Sequence, residues 1–404
     1  MFFVLSPYLA AMTNYDETVA ACALNKIFGY HPALGVNLLQ EAGSALELFD
    51  GSCTESAAHP ELYSQLVPAQ LDWASRELEK VRTGGFRFLS LLDEDYPAAL
   101  RECPEPPIGL YLNGSSSPAE IFGLRPLVAF VGTRDLSPYG KVWCEKLVRA
   151  LAEARVQPCI VSGLALGADG VAHRTALECG LPTIGVMATG IDKVYPYQHE
   201  RLAMDMVRTP GCALVTDYPT DTSPVALNFV RRNRIIAGLV SAVVVVESKS
   251  KGGSLMTAKY AVNYSRDVFA VPGRLDDARS AGCHSLIHTQ MAQIVTGPEQ
   301  LMDDLGLGGP VRHRGQGGSW VTSQAGDPPE KVLQALLTRK YGPGSALIPV
   351  ALAVLAHRGI SPEELTASLH RPYGEILSAI GTLEADGFLT TDLLRRCSLS
   401  PQFS

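Results

Sequence analysis

Ala242-Val243-Val244-Val245-Val246-Glu247 runs into Ser248-Lys249-Ser250-Lys251-Gly252-Gly253-Ser254 and then into Leu255-Met256-Thr257-Ala258. A run that stays apolar until its last residue does not alternate between wet and dry faces, so it reads as a strand buried on both sides. A glycine-rich loop closing on Ser254 and opening a second apolar segment makes a strand–loop–helix unit. The same pattern recurs on both sides of it. Further candidate strands are Phe86–Leu91, Leu127–Val131, Cys159–Val161, Thr183–Met187, Ala213–Thr216 and Val268–Val271. Helical spacing marks Tyr139–Ala154, Gly170–Cys179, Gln198–Val207, Asn228–Leu239 and Leu255–Tyr264 between them. Apolar strands separated by helices predict an α/β domain over residues 81–305, a Rossmann-like doubly wound, mostly parallel sheet covered on both faces. Ligands of such sheets bind outside the carboxyl ends of the strands.

The flanks follow a different pattern. Over residues 1–80, Leu24, Ile27, Phe28, Leu34, Leu38, Leu39, Leu46, Leu48 and Phe49 recur at helical spacing, with breaks at Gly29, Gly35 and Gly43. This predicts a small helical domain, SAM-like or helix-hairpin-helix-like. The turn Gly29-Tyr30-His31-Pro32 sits where a DNA-holding hairpin would place its glycine, yet Lys26 is the only nearby lysine, and a packing module is the preferred reading. Residues 306–345 are rich in Gly, Pro, Ser and Gln and read as a flexible linker. Over residues 346–404 a helix start at Ser361-Pro362-Glu363-Glu364, a helix carrying Ile376, Ile380 and Leu383, and the strand-like Phe388-Leu389-Thr390-Thr391 give the order of a winged helix.

Composition narrows the function. The 404 residues are 46% hydrophobic and 19% charged, which supplies real cores and excludes a wholly disordered chain. A net charge of −7 excludes a globally basic nucleic-acid binder but not a local basic groove. The 9 cysteines are scattered without a C-x-x-C pair, so neither a zinc ribbon nor a disulfide framework is expected. No apolar run reaches the roughly 18 residues of a membrane span. The opening Met1-Phe2-Phe3-Val4-Leu5 lacks a basic start and soon meets Asp16 and Glu17, so no signal peptide is expected, and Met12 is an alternative start. The chain reads as reduced and cytoplasmic.

Four loops at strand ends carry the candidate chemistry. Gly132-Thr133-Arg134 offers close backbone approach, a hydroxyl and a forked cation. Ser162-Gly163-Leu164-Ala165-Leu166-Gly167-Ala168-Asp169 lies between a strand and a helix but matches no dinucleotide fingerprint; its Asp169 suits an N-cap as well as a ligand contact, and His173 suits an orienting role. A Walker A loop is absent, since Val142 follows Gly140-Lys141. Asn228-Phe229-Val230-Arg231-Arg232-Asn233-Arg234 gathers three arginines beside an aromatic. It is read as an anion site with a stacking ring, against the alternative of a solvated face with one arginine buried in a salt bridge. Lys249, Lys251, Gly253 and Ser254 form a second phosphate cradle, or else a mobile glycine turn with solvated lysines.

Taken in order, Gly132-Thr133-Arg134, Ser162-Gly163-Leu164-Ala165, Ala172-His173, Thr189-Gly190-Ile191-Asp192 with Tyr195-Pro196, Arg232-Asn233-Arg234-Ile235-Ile236-Ala237-Gly238-Leu239, Gly253-Ser254-Leu255 and Val271-Pro272-Gly273 resemble the DNA-processing protein A (DprA, or Smf) family. Asp95-Tyr96-Pro97, Pro106-Pro107 and Leu110-Tyr111 fit the same family, and the resemblance spans about residues 86–294. It implies a bacterial protein that binds single-stranded DNA as a homodimer, protects incoming DNA in natural transformation and loads the RecA recombinase, with no cofactor. By the same resemblance, the DNA pocket involves Gly132, Thr133, Arg134, Phe229, Arg232, Asn233, Lys249 and Lys251. The chain departs from the family at Phe229-Val230, where Phe-Pro is common, at Gly167-Ala168-Asp169, where Gly-Ile-Asp is usual, and at His284, where an Asn is usual. Paired carboxylates, a nucleophile triad and a metal cluster are all missing from the loops, which favours binding over turnover. A nucleoside-phosphate hydrolase using Asp169 or Glu247, and a nucleotide-sensing module with a partner-recruiting tail, are the alternatives.

Overall fold

The strand Leu127–Val131 (β3) lies inside a sheet that grows outward from it on both sides. The computed structural model describes residues 16–49 and 60–308, and beyond them 312–314, 320–322, 333–334, 337–338, 340–342, 344–356, 360–385, 388–391 and 396–399. The opening residues 1–15, with Met12, lie outside the described residues. The chain divides into two units, Met1–Met302 and Asp303–Ser404.

In the first unit the strands are Arg87–Ser90 (β1), Gly109–Asn113 (β2), β3, Cys159–Ser162 (β4), Thr183–Val186 (β5), Ala213–Thr216 (β6), Ala242–Val245 (β7), Asp267–Ala270 (β8) and Gln293–Ile294 (β9). They form one sheet of nine in the order β1-β2-β6-β5-β4-β3-β7-β8-β9. From β6 to β9 all neighbours are parallel, and β1 and β2 add an antiparallel edge. The parallel strands β3 to β8 are buried along nearly their whole length, as their unbroken apolar runs require. Two strands escape the sequence pattern. β2 hides behind Pro106-Pro107 and opens on a glycine, and β9 is two exposed residues.

Successive strands run from β3 through β4 and β5 to β6 on one side, whereas β7, β8 and β9 lie on the other. The order therefore reverses between β3 and β7, the switch point at which doubly wound sheets hold ligands. Val131 is the register partner of Val245, so the loops after β3 and β7 leave the sheet side by side.

The helices Glu17–Phe28 (α1), Pro32–Ala42 (α2) and Pro68–Thr83 (α3) share a core in which Leu24, Phe28, Leu39 and Leu71 meet Ile108 and Phe88 from the antiparallel edge. Polar groups pin them there. Buried Asn25 donates to Asp217 O at 2.9 Å and accepts from Gly109 N at 3.0 Å, and buried Glu77 takes both the amide and the hydroxyl of Thr220, at 2.6 and 2.7 Å. The sheet helices that shape the site are Pro138–Ala152 (α4), Ala168–Glu178 (α5), Ala226–Leu239 (α6), Ser254–Asn263 (α7) and Ala281–His288 (α8).

In the second unit, Leu347–Ala356, Pro362–Leu369 and Tyr373–Ala385 are helical, and Leu389–Thr391 pairs antiparallel with Cys397–Leu399. Ser361 and Glu364 form the reciprocal cap their spacing predicts, and Ile376, Ile380 and Leu383 are buried. Inside the stretch read as a linker, Arg312–Arg314 pairs with Trp320–Thr322, and 309–311, 315–319 and 323–332 lie outside the described residues.

Candidate nucleic-acid interface

The loops after β3, β4 and β7 are built against one another. Thr133 N donates to Glu247 O at 2.8 Å, Val246 N to Val131 O at 2.9 Å, and Ala168 N to Thr133 O at 3.2 Å. Gly167 has φ +77°, and a Cβ there would lie 2.3 Å from Thr133 O, so only glycine lets the second loop close on the first. Gly132 serves the same packing. Its missing side chain makes room for Ala168, 2.6 Å from where its Cβ would be, and not for a phosphate as its sequence position suggests.

Glu247 ties the two switch-point loops from beneath. Its buried carboxylate accepts from Ser137 N at 2.9 Å and from Ser137 Oγ at 2.5 Å, while Ser137 Oγ caps α4 by accepting from Gly140 N at 3.0 Å. Asp169 is not an N-cap. Its carboxylate turns back to accept from Gly163 N at 3.1 Å and Ala165 N at 3.2 Å, and burial raises its pKa against the opposing pull of Arg232. These bonds, with His199 Nδ1 2.9 Å from Leu164 O, hold the non-glycine Leu164 at φ 58°. His173 packs under the sheet, its Nδ1 bonded to Thr183 Oγ1 at 2.7 Å while that hydroxyl donates to Ile160 O at 2.7 Å; burial lowers its pKa to about 3.

Above this frame lies a cleft of about 940 Å³. Of the sequence-predicted residues, Gly132, Thr133, Arg134, Phe229, Arg232, Asn233, Lys249, Lys251, Gly253 and Ser254 line it. Ser162, Gly163 and Arg231 do not. Ser162 is fully buried and donates to Phe130 O at 2.5 Å, and Gly163 has no room for a side chain because the Arg232 guanidinium would lie 2.6 Å from its Cβ. Arg231 turns away to the first unit's helical turn, where it donates to Gly29 O and to Tyr30 O and lies 4.6 Å from the Tyr30 ring. The carbonyls of the turn read as a possible DNA hairpin thus accept from Arg231.

The lining residues divide into frame and face. Arg232 is buried, donating to Gly163 O at 2.5 Å and to Val186 O, with its Nε 3.2 Å from Asn233 Oδ1. Burial pulls its pKa down to about 10 while Asp169 pulls it up, so it stays ionised at neutral pH. Ser254 is buried too, its hydroxyl donating inward to Ser248 Oγ at 2.9 Å. Arg234 makes the buried salt bridge, 2.7 Å to Asp217. Exposed at the mouth are Arg134, Lys249 and Lys251, with Asp135 as their acidic neighbour. The Arg134 guanidinium lies 5.1 Å from the Phe229 ring, and Tyr195 meets the same ring edge-on at 5.5 Å. Gly253 gives α7 no side-chain cap, so its first turn opens beside these cations.

Tyr195 lines the cleft but is absent from the sequence-predicted set, as are Asp135, Ser250 and Thr257. Its signal was an aromatic before Pro196 in the loop after β5, 45% exposed in the fold. At the departures from the family pattern, Val230 simply continues a helix that starts at Ala226, and His284 Nε2 lies 3.1 Å from Gly273 O, anchoring that turn.

Comparison with known proteins bears on this arrangement. The family model described as DNA recombination-mediator protein A matches residues 87–306. The protein Smf of Synechocystis is 41% identical over 229 residues, which is 57% of this chain and 56% of that protein. The DNA processing protein DprA of Streptococcus pneumoniae is 38% identical over 251 residues, 62% of this chain and 83% of that protein. The X-ray structure of DprA from Streptococcus pneumoniae aligns with TM-score 0.58 at 32% identity, covering 74% of this chain and 98% of that one. The chain spans just over half the length of Smf proteins from Synechocystis and Escherichia coli. With the matched residues running from the antiparallel edge through every strand that builds the cleft, the chain belongs to the DNA recombination-mediator protein A family.

Proposed function

We propose that the chain binds single-stranded DNA in the switch-point cleft. Phosphates lie on Arg134, Lys249, Lys251 and the first turn of α7, and an unpaired base lies against Phe229 and Tyr195. The observation that carries this reading is the Arg134–Phe229–Tyr195 cluster at the mouth of the cleft, beside lysines that face solvent. Aromatic faces next to a cationic track suit a strand whose bases are free to stack, whereas paired bases expose only their edges. Membership of a recombination-mediator family supports the same ligand.

The further parts of the proposal concern the whole protein. It acts in the cytoplasm as a homodimer, protects incoming DNA during natural transformation and hands it to the RecA recombinase. It binds without turnover: the acids a hydrolase would need are engaged, Glu247 on Ser137 and Asp169 on two backbone amides. The second unit is a winged helix that contacts protein. Among the described residues no helix is long and apolar enough to cross a membrane, and no His, Cys, Asp and Glu cluster could hold a metal ion.

Titration of the purified chain with single- and double-stranded oligonucleotides at stated salt tests the reading, with nucleoside monophosphates incubated in parallel. Preferred single-strand binding with no released base or ribose phosphate is the expected result. Equal or stronger duplex binding, or release of product, contradicts it.

A further inference from the structure

At the rim of the cleft, the Asp135 carboxylate is placed between two cations from different loops. Its Oδ2 lies 3.5 Å from Lys249 Nζ and 3.7 Å from Arg279 Nε. Both distances exceed a charge-assisted hydrogen bond, and all three side chains are open to solvent, at 70% for Asp135, 55% for Lys249 and 36% for Arg279. The cations are brought together by the backbone. The Gly282 amide at the start of α8 donates to Ser248 O at 2.7 Å, and a Cβ on Gly282 would lie 2.7 Å from Lys249 O. This close approach sets Arg279, just before α8, beside Lys249. The other acids of that loop are engaged: Asp277 accepts from the Arg279 amide at 2.9 Å, and Asp276 pairs with Arg274 at 2.9 Å.

We propose that Lys249 and Arg279 form a second phosphodiester subsite at the rim, occupied in the free protein by the Asp135 carboxylate and yielded to a DNA phosphate on binding. This rests on the single-strand reading above. The Asp135 backbone is fixed, its amide donating to Thr133 Oγ1 at 3.2 Å, and its short side chain stops short of hydrogen-bond distance to either cation. A phosphate carries no such tether and settles at hydrogen-bond length to both. Asp135 therefore acts as an internal competitor, setting how much charge the cleft offers a strand.

Anisotropy titrations of a single-stranded oligonucleotide over a range of salt, on the parent, Asp135→Asn, Arg279→Gln and the double variant, test this. Asp135→Asn is expected to bind about threefold more tightly at low salt, with a log–log salt slope steeper by about 0.7. Arg279→Gln is expected to weaken binding by a similar factor with a slope shallower by about 0.7, and to shrink the gain from Asp135→Asn when combined with it. Either single variant matching the parent overturns the subsite, as does weaker binding by Asp135→Asn with a lowered unfolding midpoint, which would make Asp135 structural. A parent that binds no oligonucleotide overturns the single-strand reading and this subsite together, so the two failures are told apart by the parent alone.

Discussion

Arg134 and Arg232 carry the same charge into the same cleft and do opposite work there. Arg134 is exposed and backed by the Phe229 ring, so Arg134→Ala is expected to weaken single-strand binding and flatten the salt slope by about 0.7 without moving the unfolding midpoint. Arg232 is buried and supplies donors to two carbonyls. Arg232→Ala is therefore expected to cost roughly 3 kcal/mol of stability, read from a denaturant melt. Phe229→Ala is expected to lose about 1–3 kcal/mol of binding, measured beside the midpoint on one sample, because the half-buried ring packs on surface groups. The sequence shows that arginines gather after Phe229 but not where each points. Consecutive helical residues are turned by about 100°, so Arg232 is set well apart from Arg231 and from Arg234, which lie about 60° from each other. One holds the helical turn at Tyr30, one the loop frame and one Asp217.

At the scale of elements, the strands that are buried on both sides were legible because short, β-branched apolar runs bounded by turn residues suit a sheet covered on both faces. β3 and β6 begin and end where the pattern puts them, and β7 stops two residues early as its chain bends toward Ser248. The antiparallel β2 was not legible, since a short run beginning at Gly109 after two prolines has no periodicity to read. His173 links elements in a way that makes a pH prediction. Its pKa falls from 6.5 to about 3 in the fold, through burial first and then the nearby His199, Arg174 and Arg232. The unfolded chain then binds the proton more readily, so this stability is complete above about pH 6.5 and is lost as pH falls from there toward 3. Denaturant melts across that range are expected to show a steeper acid loss for the parent than for His173→Gln. Parallel profiles would mean that His173 is not held neutral.

For the whole molecule, the division at Met302 and Asp303 separates the cleft from the second unit. In the Tyr373–Ala385 helix Ile376, Ile380 and Leu383 are turned to the core, while the exposed charges are Glu375 and Glu384, which repel phosphates. A chain ending near Gly306 is therefore expected to keep most of its single-strand affinity, apart from any avidity lost with a changed oligomer. Loss of binding by a truncated protein of unchanged oligomeric state would place DNA on the second unit. The mostly parallel sheet of the first unit was readable from the change of period along the chain. The docking of α1, α2 and α3 onto the sheet edge was not, because it depends on buried side chains such as Asn25 and Glu77, whose partners lie more than a hundred residues away in Asp217 and Thr220. The most direct test of the cleft itself is photo-crosslinking of the parent to a single-stranded oligonucleotide carrying halogenated pyrimidines, with the adducts located by mass spectrometry. Adducts on Phe229 or Tyr195 are the predicted result. Efficient crosslinking confined to aromatics elsewhere, such as Trp73 or Tyr373, with both cleft rings unmodified, would contradict it.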